Sequence, residues 1–89
     1  MRRIFYTAQF KKDLKRIQKQ NKDAAKLKTV ITKLAAGETL DDKYKDHPLH
    51  GNFAGVRDCH IAPDWLLIYT IVKDELRLIR TGSHTELFD

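Results

Sequence analysis

The sequence predicts an α+β domain of order β-α-α-β-β-β, with a two-helix hairpin packed on one face of a small antiparallel sheet. Three observations carry this. Two apolar stripes, Phe10/Leu14/Ile17 and Leu27/Val30/Ile31/Leu34, recur near the helical period in the first half of the chain. Three strand-like segments then follow one another, separated by turn residues, so helices and strands are segregated. The length, 89 residues, suits one compact domain spanning 1–89 and is too short for two.

Residues 3–6 read as a short edge strand. Thr7 then caps a helix over residues 8–20, its hydroxyl accepting an orphan N–H of the first turn. The face opposite the apolar stripe carries Lys11, Lys12, Lys15, Arg16 and Lys19. Asp23 caps a second helix that runs to about residue 36, and Gly37 suits the left-handed position that ends it. Residues 38–52 have neither period and include Pro48 and Gly51, so they read as a loop. It is long for so small a domain, and such loops tend to be functional or mobile. Residues 56–61 form a strand, and Pro63-Asp64 marks a turn. Residues 65–72 are apolar on both faces, as a central strand requires. Lys73-Asp74 connects to a strand over residues 75–81, Gly82 ends it, and residues 83–88 form a closing turn or short helix.

Apolar residues make up 42% and charged residues 33%, ordinary for a globular domain. The longest apolar run, broken by Thr70, falls far short of the roughly 18 residues a membrane span needs. Met1-Arg2-Arg3 leads into mixed residues rather than a secretory signal. Cys59 is the only cysteine, which excludes an internal disulfide and a cysteine-rich zinc site. A cytoplasmic location is expected. Net charge is +5, unevenly spread: residues 1–45 hold 13 Lys/Arg against 5 Asp/Glu (+8), and residues 46–89 hold 4 against 7 (−3). A basic first half points to a polyanion such as nucleic acid, or to no more than a solvated helix face.

The histidines His47, His50, His60 and His84 all fall in the second half, where a meander can bring its flanking segments to one sheet edge. Asp58 and His60 share strand parity and face the same way. An acid beside an imidazole suits a general acid or base; a surface pair without a role is the alternative. Asp64 sits on the turn, where aspartate also serves its own backbone. Arg80 shares parity with Leu76 and Leu78, so its charge must emerge at the strand end or be paired; its planar fork suits a phosphate. Phe88 either pins the tail or stacks on a base, and Trp65 is either core or an RNA contact. Metal-binding spacings such as HExxH are absent, and so are serine-nucleophile, P-loop and dinucleotide motifs. No metal or other cofactor is expected.

Three linked motifs carry a resemblance: Tyr44-Lys45-Asp46-His47-Pro48-Leu49-His50-Gly51, Gly55-x-Arg57-Asp58-x-His60-x-x-x-Asp64-Trp65-x-Leu67-Ile68-Tyr69, and Arg80-Thr81-Gly82-Ser83-His84-x-x-Leu87-Phe88. Together with Phe10-Lys11-Lys12-Asp13-Leu14, they resemble the YafQ-like toxins of the RelE superfamily over almost the entire chain, in order. The resemblance implies a RelE-like fold and a metal-independent, ribosome-dependent endonuclease that cuts messenger RNA. It also implies a cognate antitoxin and the 70S ribosome as partners, with no membrane involved. The family's functional positions fall on His47, Asp58, His60, Asp64, His84 and Phe88, with Arg80 and Trp65 less firmly placed. His50 stands where the family commonly has another polar residue and is left outside the catalytic set. His84 or His60 is then the base, with His47 or the remaining histidine as acid. Asp58 and Asp64 tune or orient them, Arg80 stabilises charge on phosphorus, and the basic helix face (Lys11, Lys12, Lys15, Arg16, Lys19) docks on RNA. A non-catalytic RNA-binding module, or a pure interaction partner, uses the same surface without the chemistry.

Overall fold

The computed structural model describes residues 1–49 and 55–88. Its elements are β1 (Arg3–Tyr6), α1 (Ala8–Lys19), α2 (Ala24–Ala35), a 3-10 turn (Asp42–Tyr44), β2 (His47–Pro48), β3 (Arg57–Ala62), β4 (Trp65–Val72), β5 (Glu75–Gly82) and α3 (His84–Phe88). Both expected caps form: Thr7 Oγ1 accepts the Phe10 N–H at 3.1 Å, and Asp23 Oδ1 accepts the Ala25 N–H at 3.0 Å. Gly37 lies at φ 81°, the left-handed position that closes α2.

The sheet has five strands in the order β1-β5-β4-β3-β2. The expected α+β fold, a two-helix hairpin on a small and mostly antiparallel sheet, is the one observed, and two details differ. The sheet is not wholly antiparallel, because β1 pairs parallel to β5; the helical hairpin carries the chain over the sheet, so the edge strand and β5 run the same way. The expected loop over 38–52 also contains the 3-10 turn and β2, whose two residues add a fifth strand against β3. A two-residue strand has no alternation to read, which hides it from periodicity. His50 and Gly51 lie outside the described residues.

β4 is the central strand, as its apolar run requires. Trp65, Leu67 and Tyr69 face the main core with Phe10 and Ile17 of α1 and Leu27, Val30 and Leu34 of α2. Leu66 and Ile68 point the other way and meet Leu87 of α3, with Leu49, Val56, Ile79 and Phe88 packed around them. α1 and α2 thus cover one face, and α3 anchors the chain end on the other. That second face also carries the chemistry.

Candidate active site

β3 and β2 set the first half of the site. Their register places His47 opposite Asp58. Lys45, left-handed at φ 48°, ends the 3-10 turn and directs the chain into β2. Asp46 holds this segment by accepting the Tyr69 hydroxyl at 2.6 Å and the Arg57 Nε–H at 3.2 Å. His47 Nδ1 lies 2.7 Å from the Lys45 carbonyl. A carbonyl only accepts, so Nδ1 carries a proton and Nε2 is left facing Asp58.

Asp58 is 4% exposed. His47 Nε2 stands 3.1 Å from its Oδ1, within ion-pair reach, yet that oxygen receives no well-directed hydrogen bond. Burial pushes the Asp58 carboxyl above the usual carboxylate range. The nearby His47, His60 and His84 pull it back without cancelling the effect, and Asp46 adds to the rise. The His60 ring lies 6.5 Å from that of His47, centroid to centroid. Three histidines therefore lie around one carboxyl that holds its proton more tightly than usual.

α3 delivers the third histidine. Ser83 and Glu86 form a reciprocal capping box: the Ser83 N–H reaches Glu86 Oε1 at 2.8 Å, and the Glu86 N–H reaches Ser83 Oγ at 3.1 Å. Asp64 accepts the His84 N–H at 3.2 Å, so it positions that residue through the backbone and not through the ring. The Phe88 ring packs 5.0 Å from the His84 ring while remaining against the second apolar cluster. The tail is pinned, and its aromatic ring sits beside His84.

On the helical side of the sheet lies a further carboxylate, outside the residues expected to carry chemistry. Asp13 of α1 is fully buried. It accepts both Arg80 Nε–H (3.0 Å) and Nη2–H (3.1 Å), the Thr81 N–H (3.1 Å) and Gln9 Nε2 (3.3 Å), and Arg16 Nη1 lies at 3.2 Å. Burial pushes its pKa up, but the hydrogen bonds from Arg80, Thr81 and Gln9 outweigh it and hold the carboxyl below the ordinary range. Arg16 continues outward to the Thr81 carbonyl (3.0 Å) and to Glu86 Oε2 (3.0 Å). It crosses directly over Gly82, where a Cβ would lie 2.5 Å from Arg16 Nη2.

Several expected roles change accordingly. Arg80 is paired, one of the two outcomes its parity allowed: its Nε–H and one Nη2–H are committed to Asp13. Arg16 does not belong to the solvent face, because Asp13 and Glu86 draw its guanidinium inward; Lys11, Lys12, Lys15 and Lys19 remain exposed. Trp65 offers no surface to RNA: it is 3% exposed, and its indole N–H donates to Thr81 Oγ1 at 2.9 Å. Among the described residues, no three His, Cys, Asp or Glu side chains stand close enough to hold a metal ion.

The family described as bacterial toxin of type II toxin-antitoxin system, YafQ, matches residues 2–89. The chain belongs to the YafQ toxin family. It is 48% identical over 88 residues to the mRNA interferase toxin YafQ of Escherichia coli K12, covering 98% of this chain and 96% of that one. Its fold matches YafQ in the E. coli DinJ-YafQ complex with a TM-score of 0.93 and 47% identity, covering both chains completely. It matches a copper-bound mutant toxin from Helicobacter pylori with a TM-score of 0.95 and 40% identity, covering 99% of this chain and 100% of the other. The α+β architecture is that of the YafQ structures.

Proposed function

We propose that this protein is the toxin of a type II toxin-antitoxin system, a ribosome-dependent endonuclease that cuts messenger RNA without a metal ion. One observation carries the chemistry: His47, His60 and His84 lie around the buried, under-bonded Asp58. Membership of the YafQ family and the named activity of the E. coli relative support the reading.

RNA brings its own nucleophile. A base takes the proton of the 2′-hydroxyl, whose oxygen attacks the adjacent phosphorus. The bond from phosphorus to the 5′-oxygen breaks, and an acid protonates that leaving oxygen. A 2′,3′-cyclic phosphate remains. His84 or His60 is the base, and His47 or the remaining histidine the acid. His47 is oriented for this exchange, since its Nδ1 is tied to a carbonyl while Nε2 stands 3.1 Å from the Asp58 carboxyl, which as a carboxylate favours the protonated imidazole. Asp64 fixes His84 through its amide. Arg80 holds the strand end before His84 and turns Nη1 to the phosphate. Phe88, beside His84, supports a base. Lys11, Lys12, Lys15 and Lys19 dock on ribosomal RNA. The partners are the 70S ribosome, messenger RNA and a cognate antitoxin of the kind that accompanies YafQ in the E. coli complex, and the setting is the cytoplasm.

The test is induction of the wild-type and His84→Ala chains in bacteria, followed by growth and transcript mapping, with single-turnover cleavage on programmed ribosomes in vitro. Wild type should arrest growth and leave cut transcripts, and the rate should survive a chelator matched to keep ribosomes intact. His84→Ala should bind ribosomes normally and cleave about 10²–10⁴-fold more slowly. If the variant arrests growth as wild type does and no transcript is cut, the protein is a non-catalytic RNA- or ribosome-binding module.

A further inference from the structure

A cleft of about 490 Å³ opens on the outer side of β3, within the range of small-molecule sites. It lies where the sheet edge is uncovered: β2 pairs only with Arg57 and Asp58, so His60–Ala62, paired with β4 on its inner side, has no strand on its outer side among the described residues. The 3-10 turn also packs against β3. Three lysines line the cleft, Lys26 on α2 and Lys43 and Lys45 flanking Tyr44, and no acidic residue does. Ile61 and Ala62 supply an apolar floor, and Tyr44, half-buried against the core, is one wall. Lys43 is held in place, with Nζ 5.2 Å from the Tyr44 ring centroid.

The cleft is not separate from the site already described. His60 lines it and also belongs to the group around Asp58. A strand whose phosphate sits among the histidines must continue on both sides of the cut. One side passes Phe88 and His84. Toward the other, His60 opens directly into this cationic, apolar-floored space.

We propose that the cleft is a nucleotide subsite for single-stranded RNA, holding the residue next to the cut bond. Lys26, Lys43 and Lys45 take its phosphate, and its base lies on the apolar floor beside Tyr44. This rests on the reading of the protein as an RNA endonuclease. The charge pattern suits a phosphate, and the floor suits a base; a bare anion site needs no such floor.

The test is titration of the ¹⁵N-labelled full chain with adenosine 3′,5′-bisphosphate, inorganic phosphate and adenosine, read at individual amides. The bisphosphate should shift Ile61, Ala62 and Tyr44, with inorganic phosphate and adenosine each binding more weakly. Lys43→Gln/Lys45→Gln should weaken the bisphosphate about tenfold or more, the scale of a lost charge-assisted contact, and leave adenosine unchanged. The spectrum itself reports whether that variant is folded; if it is not, Lys26→Gln on the other wall carries the test, with a loss of the same sign. Shifts confined to His84 and Phe88, equal affinity for phosphate and bisphosphate, or unaltered binding by the lysine variants would each overturn the subsite. So would tighter seating of a polyglutamate peptide in the cleft, which would assign it to an acidic protein partner. Messenger cleavage by wild type is measured in parallel. A chain that cleaves RNA but shows no response in the cleft refutes the subsite alone. A chain that fails to cleave refutes the endonuclease reading, whatever the titration shows.

Discussion

Asp13 and Asp58 are both buried aspartates in the same small domain, and their surroundings differ in nearly every respect. Asp13 receives hydrogen bonds from an arginine fork, a backbone amide and a glutamine, with a second arginine in ion-pair reach. Asp58 has one histidine within reach and no well-directed donor on the facing oxygen. Burial raises both carboxyls; at Asp13 the donors more than reverse it, and at Asp58 the histidines do not. A fully bonded buried charge braces a fold, whereas an under-bonded one, its pKa raised and three imidazoles near it, is a candidate for proton chemistry. The difference separates scaffold from chemistry more sharply than burial does.

Replacing each carboxyl with its amide tests this contrast directly. Asp58→Asn should lower the saturated single-turnover rate by about 10²-fold, in line with loss of an acid-base group, while urea unfolding shows no loss of stability. A variant that is destabilised and cleaves normally once folded would make Asp58 a brace after all. Asp13→Asn should do the converse. Stability should fall by about 3 kcal/mol, the lower end for breaking a buried ion pair because Arg80 and Arg16 keep partial access to water. The rate per folded molecule should fall by much less than in Asp58→Asn.

Acidity should separate the two by sign. The native pKa of Asp13 lies below its unfolded value, so its stabilisation is present above the unfolded pKa and lost as pH falls through the native one. Asp58 titrates above its unfolded value, so the native state holds the extra proton and stability declines as pH rises through its native pKa. In urea unfolding at a series of pH values, the Asp13→Asn deficit should therefore shrink toward acid. The Asp58→Asn chain should gain on wild type as pH rises. Parallel curves for either variant would mean that its carboxyl is not shifted.

Much of this was legible in the residues. Asp58 and His60 share a face by parity alone, and Thr7, Asp23 and Gly37 mark helix ends by local chemistry that tertiary contacts do not override. The pairing of His47 with Asp58 was not legible, since β2 is too short to show a period. Arg16 illustrates a different limit. Helical spacing places it with the lysines, but only the fold reveals that Gly82 leaves room for its guanidinium to cross to Glu86. Asp13 is legible in the sequence. It falls within the Phe10–Ile17 stripe, and an acid in one apolar face with Arg80 in another is the signature of a buried pair.

The smallest effect expected lies where the two regions meet. α3 has five residues, too few for a helix to persist on intrinsic propensity, so its ends and its packing must hold it. Glu86 does both: it caps Ser83, accepts Gln20 Nε2 at 3.0 Å, and ties Arg16, and so Asp13, to the helix bearing His84. Its carboxyl is held below the ordinary range, first by the Ser83 amide. Glu86→Gln keeps an oxygen for the cap and removes the charge that Arg16 faces. Stability should drop by about 0.5 kcal/mol, since the arginine is partly exposed and water screens the pair. If α3 is positioned by this tie, the cleavage rate should fall a few fold with ribosome affinity unchanged, and Glu86→Asp should restore little, because the shorter side chain no longer spans to both Ser83 and Arg16. A rate equal to wild type would show that Leu87 and the Asp64–His84 contact hold the helix alone, leaving Asp13 a brace with no reach into the chemistry.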